Sequence, residues 1–118
     1  MFLQLNHQNL EIFKVSRLFV FECYKLTKQL PPDEKFGMIS QIRRAGLSVH
    51  LNIAEGCSRK SLAERKRYFE MSRGSLIEID AALDIVVDLD YSRQEKLIDL
   101  GKLLLDCFKM LSSMISKN

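Results

Sequence analysis

Residues 31–64 read PPDEKFGMISQIRRAGLSVHLNIAEGCSRKSLAE, and the punctuation in this stretch decides the architecture. The tandem Pro31-Pro32 removes two backbone donors and biases the preceding residue away from helical geometry, so a first helix must stop before it. Asp33 is then placed to cap a second helix, with Glu34 in a first turn where the helix dipole favours an anion. This second helix continues to about Glu55 and ends at Gly56, a candidate left-handed C-cap. Ser61-Leu62-Ala63-Glu64 has the spacing of a capping box and opens a third helix.

Working outward, Leu10, Phe13, Leu18, Phe21 and Tyr24 recur at helical spacing and predict a first helix over Asn9–Gln29. The third helix runs to about Asp88. A second capping-box pattern, Ser92-Arg93-Gln94-Glu95, opens a fourth helix that runs to about Ser116. Helices of about 20–28 residues, each about 30–40 Å long and joined by short loops, predict an all-α, antiparallel up-down-up-down four-helix bundle. The 118 residues form one such domain, residues 1–118.

Composition agrees. At 47% hydrophobic and 28% charged, the chain is neither disordered nor fibrous. Its two prolines are adjacent and it has only five glycines, too few turns for a sandwich or barrel. The N-terminal run has no basic segment followed by an apolar one, and the longest charge-free stretch, Ala45 to Ala54, is far short of a membrane span. A cytoplasmic protein with no membrane contact is expected. Cys23, Cys57 and Cys107 form no C-x-x-C pair and predict free thiols, and His7 and His50 lie in no metal-ligand spacing. No metal or cofactor is expected. Ser75 follows Gly74 inside a helical pattern rather than at a nucleophile elbow, and no phosphate loop is present. No residue is nominated as catalytic, and the chain is expected not to be an enzyme.

Gly37, Gly46, Gly74 and Gly101 all fall inside expected helices, where each costs about 0.8–1 kcal/mol against alanine. Close approach of helices two and three is the expected compensation at Gly46 and Gly74. Apolar residues are in excess. Leu18-Phe19-Val20-Phe21 face every direction of helix one, and Ile77, Ile79, Leu83, Ile85 and Val87 leave helix three only an acidic stripe at Asp80, Asp84 and Asp88. That surplus predicts self-association or a partner protein.

The net charge of +3 divides unevenly. Residues 43–73 hold eight basic residues against three acids, and residues 78–106 hold eight acids against three basic residues. Arg59, Lys60, Arg65, Lys66 and Arg67 cluster around the loop between helices two and three, with Tyr68 beside them and Arg43 and Arg73 further along. Cations beside an aromatic ring suit phosphate contacts and base stacking in RNA or DNA. Pairing with Glu64, Glu70 or a neighbouring subunit's acids is the alternative use of the same charges. Helix two also presents Arg44, Ser48, Asn52 and Glu55 on one face, opposite Ser75 and Glu78. An Arg44–Glu78 ion pair within a partly buried structural network is expected there, its main benefit being register.

Residues 36–59 and the string Gly74-Ser75-Leu76-Ile77-Glu78-Ile79 also carry a family resemblance. Gln41-x-x-Arg44 following the start of helix two, then Asn52-Ile53-Ala54-Glu55-Gly56, then Gly74-Ser75-Leu76-x-Glu78, resemble the bacterial four-helix-bundle proteins encoded in 23S ribosomal RNA intervening sequences. The accessory variability protein of diversity-generating retroelements looks like a relative. The resemblance implies a protomer that assembles into a barrel-like homopentamer with a basic surface for RNA or DNA, and in the retroelement relatives an association with a reverse transcriptase. This chain departs from the family pattern at His50, where proline is usual, and at Arg73, where an apolar residue is commoner. The resulting expectation is an oligomeric nucleic-acid-binding accessory. The alternative is an oligomeric scaffold that docks a partner protein.

Overall fold

The computed structural model describes residues 1–117. Four helices account for most of them: α1 (Glu11–Thr27), α2 (Met38–Ser58), α3 (Leu62–Asp88) and α4 (Ile98–Ser116). Each helix packs on the next in sequence and α1 returns against α4, closing an up-down-up-down bundle with extents of 44 × 30 × 23 Å. The longest dimension is set by α3, whose 27 residues span about 40 Å.

The core follows from stripes spaced three and four residues apart. In α1 the buried series is Ile12, Val15, Phe19, Cys23 and Leu26; in α3 it is Phe69, Ser72, Leu76, Ile79, Leu83 and Val86. The matching stripes of α2 and α4 run from Ile42 to Ile53 and from Leu100 to Ile115. Phe19 and Phe69 are the largest fully buried side chains, one at each end of the α1–α3 diagonal. This 3–4 spacing places one apolar face of each helix on a common axis.

Several helix ends differ from expectation, each for a local reason. Residues Asn6–Asn9 form a single 3-10 turn before α1, which starts at Glu11 and stops at Thr27. Asp33 does not cap α2. Pro32–Glu34 make a 3-10 turn, α2 begins at Met38 after Gly37, and it is the Glu34 carboxylate that accepts from Met38 N–H at 3.2 Å. Its other oxygen accepts from the Tyr91 hydroxyl at 2.9 Å, tying the start of α2 to the α3–α4 connection. That carboxylate also raises the pKa of Tyr91, because it stabilises the protonated phenol.

Gly56 is not a left-handed cap, for no glycine has a positive φ; α2 continues through it to Ser58. Ser61 does cap α3, accepting from Glu64 N–H at 3.1 Å. Ser92 opens no helix. α3 ends in a Schellman arrangement around Asp90 at φ 59°, with Asp90 N–H donating to Val87 O and Tyr91 N–H to Val86 O. The chain then passes through a 3-10 turn at Gln94–Leu97, and α4 starts at Ile98.

The glycine expectation is corrected as well. A Cβ on Gly46 would meet Cys23 Sγ at 3.2 Å, so its close neighbour is α1 and not α3. Gly74 has nothing within 4 Å of a Cβ and is exposed. The tight α2–α3 contact is at Gly56, where a Cβ would lie 2.6 Å from Cε1 of the buried Phe69 ring.

Candidate nucleic-acid interface

The basic end of the bundle is built around a three-residue turn, Arg59 to Ser61, between α2 and α3. Gly56 permits the turn: with no side chain there, α2 can run down onto the Phe69 ring and reverse within a few residues. The last carbonyls of α2 need donors, and Arg65 supplies them. Its Nη1 donates to Cys57 O at 2.9 Å and to Arg59 O at 3.2 Å, placing a cation against the negative end of the helix dipole. Arg59 lies over the Tyr68 ring, with its guanidinium carbon 4.9 Å from the ring centroid. Its Nη2 donates to Tyr68 Oη at 3.1 Å and to Glu55 Oε2 at 3.0 Å. Arg59 and Arg65 therefore build the turn.

Lys60, Lys66 and Arg67 are different. All three are exposed, and their side chains make no hydrogen bond or ion pair with any described residue. Over residues 59–67 the chain has five cations and one acid, Glu64. The arrangement is a hydrogen-bonded turn and helix start with three exposed cations, Lys60 in the turn and Lys66 and Arg67 early in α3, beside the two guanidinium groups that build it.

Arg43 and Arg73 do not join this cluster. Arg43 Nε donates to Thr27 Oγ1 at 2.7 Å, and its guanidinium sits 4.7 Å from the Tyr24 centroid, pinning α2 to α1. Arg73 Nη1 donates to Ser112 Oγ at 3.1 Å and lies over Phe108, pinning α3 to α4. Each is about 18–22 Å along its helix from the turn.

The polar network on α2 joins the expected Ser48, Asn52 and Ser75 and leaves out Arg44, Glu55 and Glu78. Asn52 Nδ2 donates to Ser48 O at 2.9 Å and to Ser48 Oγ at 2.8 Å, and Ser75 Oγ donates to Ser48 Oγ at 2.9 Å. The buried Ser72 hydroxyl donates to Val49 O at 2.7 Å, a second stitch from α3 to α2. The expected Arg44–Glu78 ion pair does not form. Both side chains stay exposed, where pairing yields little, and Glu55 pairs instead with Arg59, the only ion pair among the described residues.

A family model described as the 23S rRNA-intervening sequence protein matches residues 8–113. The chain belongs to that family. No curated protein matches the sequence significantly. A solved protein of unknown function from the S23 ribosomal protein family of Bacteroides thetaiotaomicron VPI-5482 is 24% identical. It superposes with a TM-score of 0.82 over 89% of this chain and 95% of its own. It shares the four-helix fold.

One contact of this family member escaped sequence reasoning. His50 stacks on Phe13 with centroids 4.1 Å apart, and its Nδ1 shares a 2.7 Å hydrogen bond with Ser16 Oγ. α2 is continuous through it. Burial, then Arg17 and His7, hold His50 below its usual pKa and keep it neutral. Although Ser and His are paired, Ser16 is fully buried on α1, so no substrate reaches its oxygen and the pair serves packing. The thiols are free as expected, but Cys57 is only half-buried. Burial pushes Cys23 and Cys107 up to about 12, which keeps them protonated. No group of three or more His, Cys, Asp or Glu among the described residues is arranged to hold a metal, and no helix is long and apolar enough to cross a membrane.

Proposed function

We propose that this member of the 23S rRNA-intervening sequence protein family is a non-enzymatic, oligomeric accessory, acting in the cytoplasm, that binds RNA or another nucleic acid by its phosphates. The contact is the α2–α3 turn. The observation that supports this reading is the division of labour among the cations. Arg59 and Arg65 are committed to building the turn, while Lys60, Lys66 and Arg67 project from it with no partner in the chain. Exposed cations grouped around one turn attract a polyanion, and closed symmetry would repeat the patch around an axis. The family resemblance favours five copies.

Binding of this kind releases counterions. With three to five phosphates neutralised per protomer, affinity for single-stranded RNA falls about 20- to 100-fold between 50 and 200 mM salt. The experiment is an RNA titration at those two salt concentrations, comparing the natural protein with a Lys60→Ala/Lys66→Ala/Arg67→Ala variant. Loss of binding in the variant, with mass and helicity kept, supports the reading. Equal affinities, or no RNA retention at about 50 mM salt by the intact assembly, refute it.

A second reading has its own observation. Leu18 and Phe21 are 57% and 67% exposed, and Ile77 and Ile85 are 56% and 48% exposed, so the protomer has apolar faces to cover. A scaffold that docks a partner protein on those faces, with the basic turn serving only solubility, is favoured if RNA binding fails while the assembly persists.

A further inference from the structure

Two faces of the bundle have matching chemistry and no partner within the chain. The first is the outer face of α1. Lys14, Arg17, Leu18, Phe21 and Lys25, with Lys28 at the C-cap, stand at positions i, i+3, i+4, i+7, i+11 and i+14, so they lie on one side of the helix, and all are exposed. Two apolar side chains thus sit between two pairs of cations. Beside them is a groove of about 770 Å³, walled by Leu18, Phe21, Tyr24 and His50 with Lys14 and Arg17 at its rim. Against these four cations α1 sets only Glu11 and Glu22.

The second is the outer face of α3. Ile77, Ala81, Ile85 and Leu89 form one row at spacing four, and Asp80, Asp84 and Asp88 form the adjacent row; all seven are exposed. From Ile77 to Leu89 the helix has four acids and no cation. The acidic row borders a second groove, of about 610 Å³, between α3 and α4. None of the four α1 cations or three α3 aspartates forms an ion pair or hydrogen bond through its side chain within the chain, among the described residues.

We infer that the α3 face of one copy seats on the α1 face of the next. The apolar row of α3 covers Leu18 and Phe21, and the aspartate row meets the cations of α1. Charge decides the pairing. An α1 face against another α1 face brings four cations onto four, and α3 against α3 brings acids onto acids. Only the unlike faces combine, so the contact is heterologous, repeats head to tail and generates a ring where the rotation closes. This deepens the oligomeric half of the proposed function and is independent of the nucleic-acid half, because neither face includes the α2–α3 turn.

The test uses two full-length variants, Arg17→Glu/Lys25→Glu and Asp80→Lys/Asp84→Lys. In the first, two new glutamates stand against Lys14 and Lys28 on the α1 face, and in the second, two new lysines stand against Glu78 and Asp88 on the α3 face, so each variant loses the charge contrast between its two faces. Each alone is expected to weaken association about 100-fold or more and to scatter light as a 13.7 kDa monomer, with helicity unchanged. Mixed in equal amounts, the first variant's acidic α3 face meets the second variant's basic α1 face, and mass above 13.7 kDa returns. Should a double variant lose helicity, Arg17→Gln and Asp84→Asn replace it, with about a tenfold weakening of association expected for each. Variants that keep the natural mass, or a mixture that stays monomeric, overturn the inference while leaving the oligomer and the RNA site standing. A natural protein that is itself 13.7 kDa at micromolar concentration overturns the oligomer with it. Unchanged mass together with loss of RNA binding in the α1 variant assigns that groove to nucleic acid and overturns the inference too.

Discussion

Replacing each of three helical glycines by alanine separates close approach from intrinsic propensity. Away from helix ends, Gly→Ala favours the helix by about 0.8–1 kcal/mol. At Gly74, in the middle of α3, a Cβ meets nothing within 4 Å, so Gly74→Ala stabilises by close to that amount, or about 4 °C in Tm at this size. At Gly46 the new methyl lies 3.2 Å from Cys23 Sγ and 3.3 Å from its Cβ. A small yield of α1 roughly cancels the propensity gain, and the change is near neutral. At Gly56 the methyl falls 2.6 Å from Phe69 Cε1 and 2.9 Å from Cδ1. That ring is 1% exposed and has no room to swing, so overpacking at about 1–3 kcal/mol prevails. The propensity gain is smaller in this last turn of α2, and the net loss is about 1–2 kcal/mol. Urea unfolding at one fixed protein concentration, followed by circular dichroism, reads all three. The expected order of stability is Gly74→Ala above Gly46→Ala above Gly56→Ala. A Gly56→Ala protein as stable as the Gly74→Ala protein would refute the assignment of Gly56 as the contact that shapes the basic turn.

Three further outcomes follow from the contacts described. Arg65→Met leaves Cys57 O and Arg59 O without their donor, and a loss of about 1–3 kcal/mol is expected in the same unfolding assay. His50 has a folded-state pKa below the unfolded value of 6.5, so the unfolded chain binds more protons below that value. Its contribution is complete above pH 6.5 and is lost as pH falls toward the depressed pKa, and His50→Gln flattens the stability profile there while near pH 8 it lowers stability through the lost Phe13 stacking without altering the slope. Thiol labelling of the native protein modifies Cys57 first, while Cys23 and Cys107 react only after unfolding, because both are buried and held protonated.

The four helices were legible because their signals are local: a proline pair, a serine that caps, and apolar spacing of three and four. The failures were also local, but subtler. Asp33 and Glu34 are both acidic and adjacent, and only the 3-10 turn after Pro31 makes Glu34 the residue that reaches Met38 N–H. Asp90 ends α3 in a left-handed conformation that glycine usually occupies, and beyond it the Ser92 pattern leads into a 3-10 turn instead of into α4. The site was half legible. Its cations stand in one stretch of sequence, but which of them are consumed by the fold depends on partners far away in the chain. Arg43 finds Thr27 sixteen residues back, and Arg73 finds Ser112 thirty-nine residues ahead. Arg44 and Glu78 are at matching heights, yet height alone does not make two exposed side chains pair.

The central claim, that the outward cations of the α2–α3 turn bind nucleic-acid phosphates, is tested most directly by the salt dependence of RNA affinity. The natural protein is expected to show a steep linear fall of log K with log salt, and Lys60→Ala/Lys66→Ala/Arg67→Ala is expected to reduce that slope by about 2 per protomer engaged. An unchanged slope in a variant that keeps its mass and helicity would contradict it.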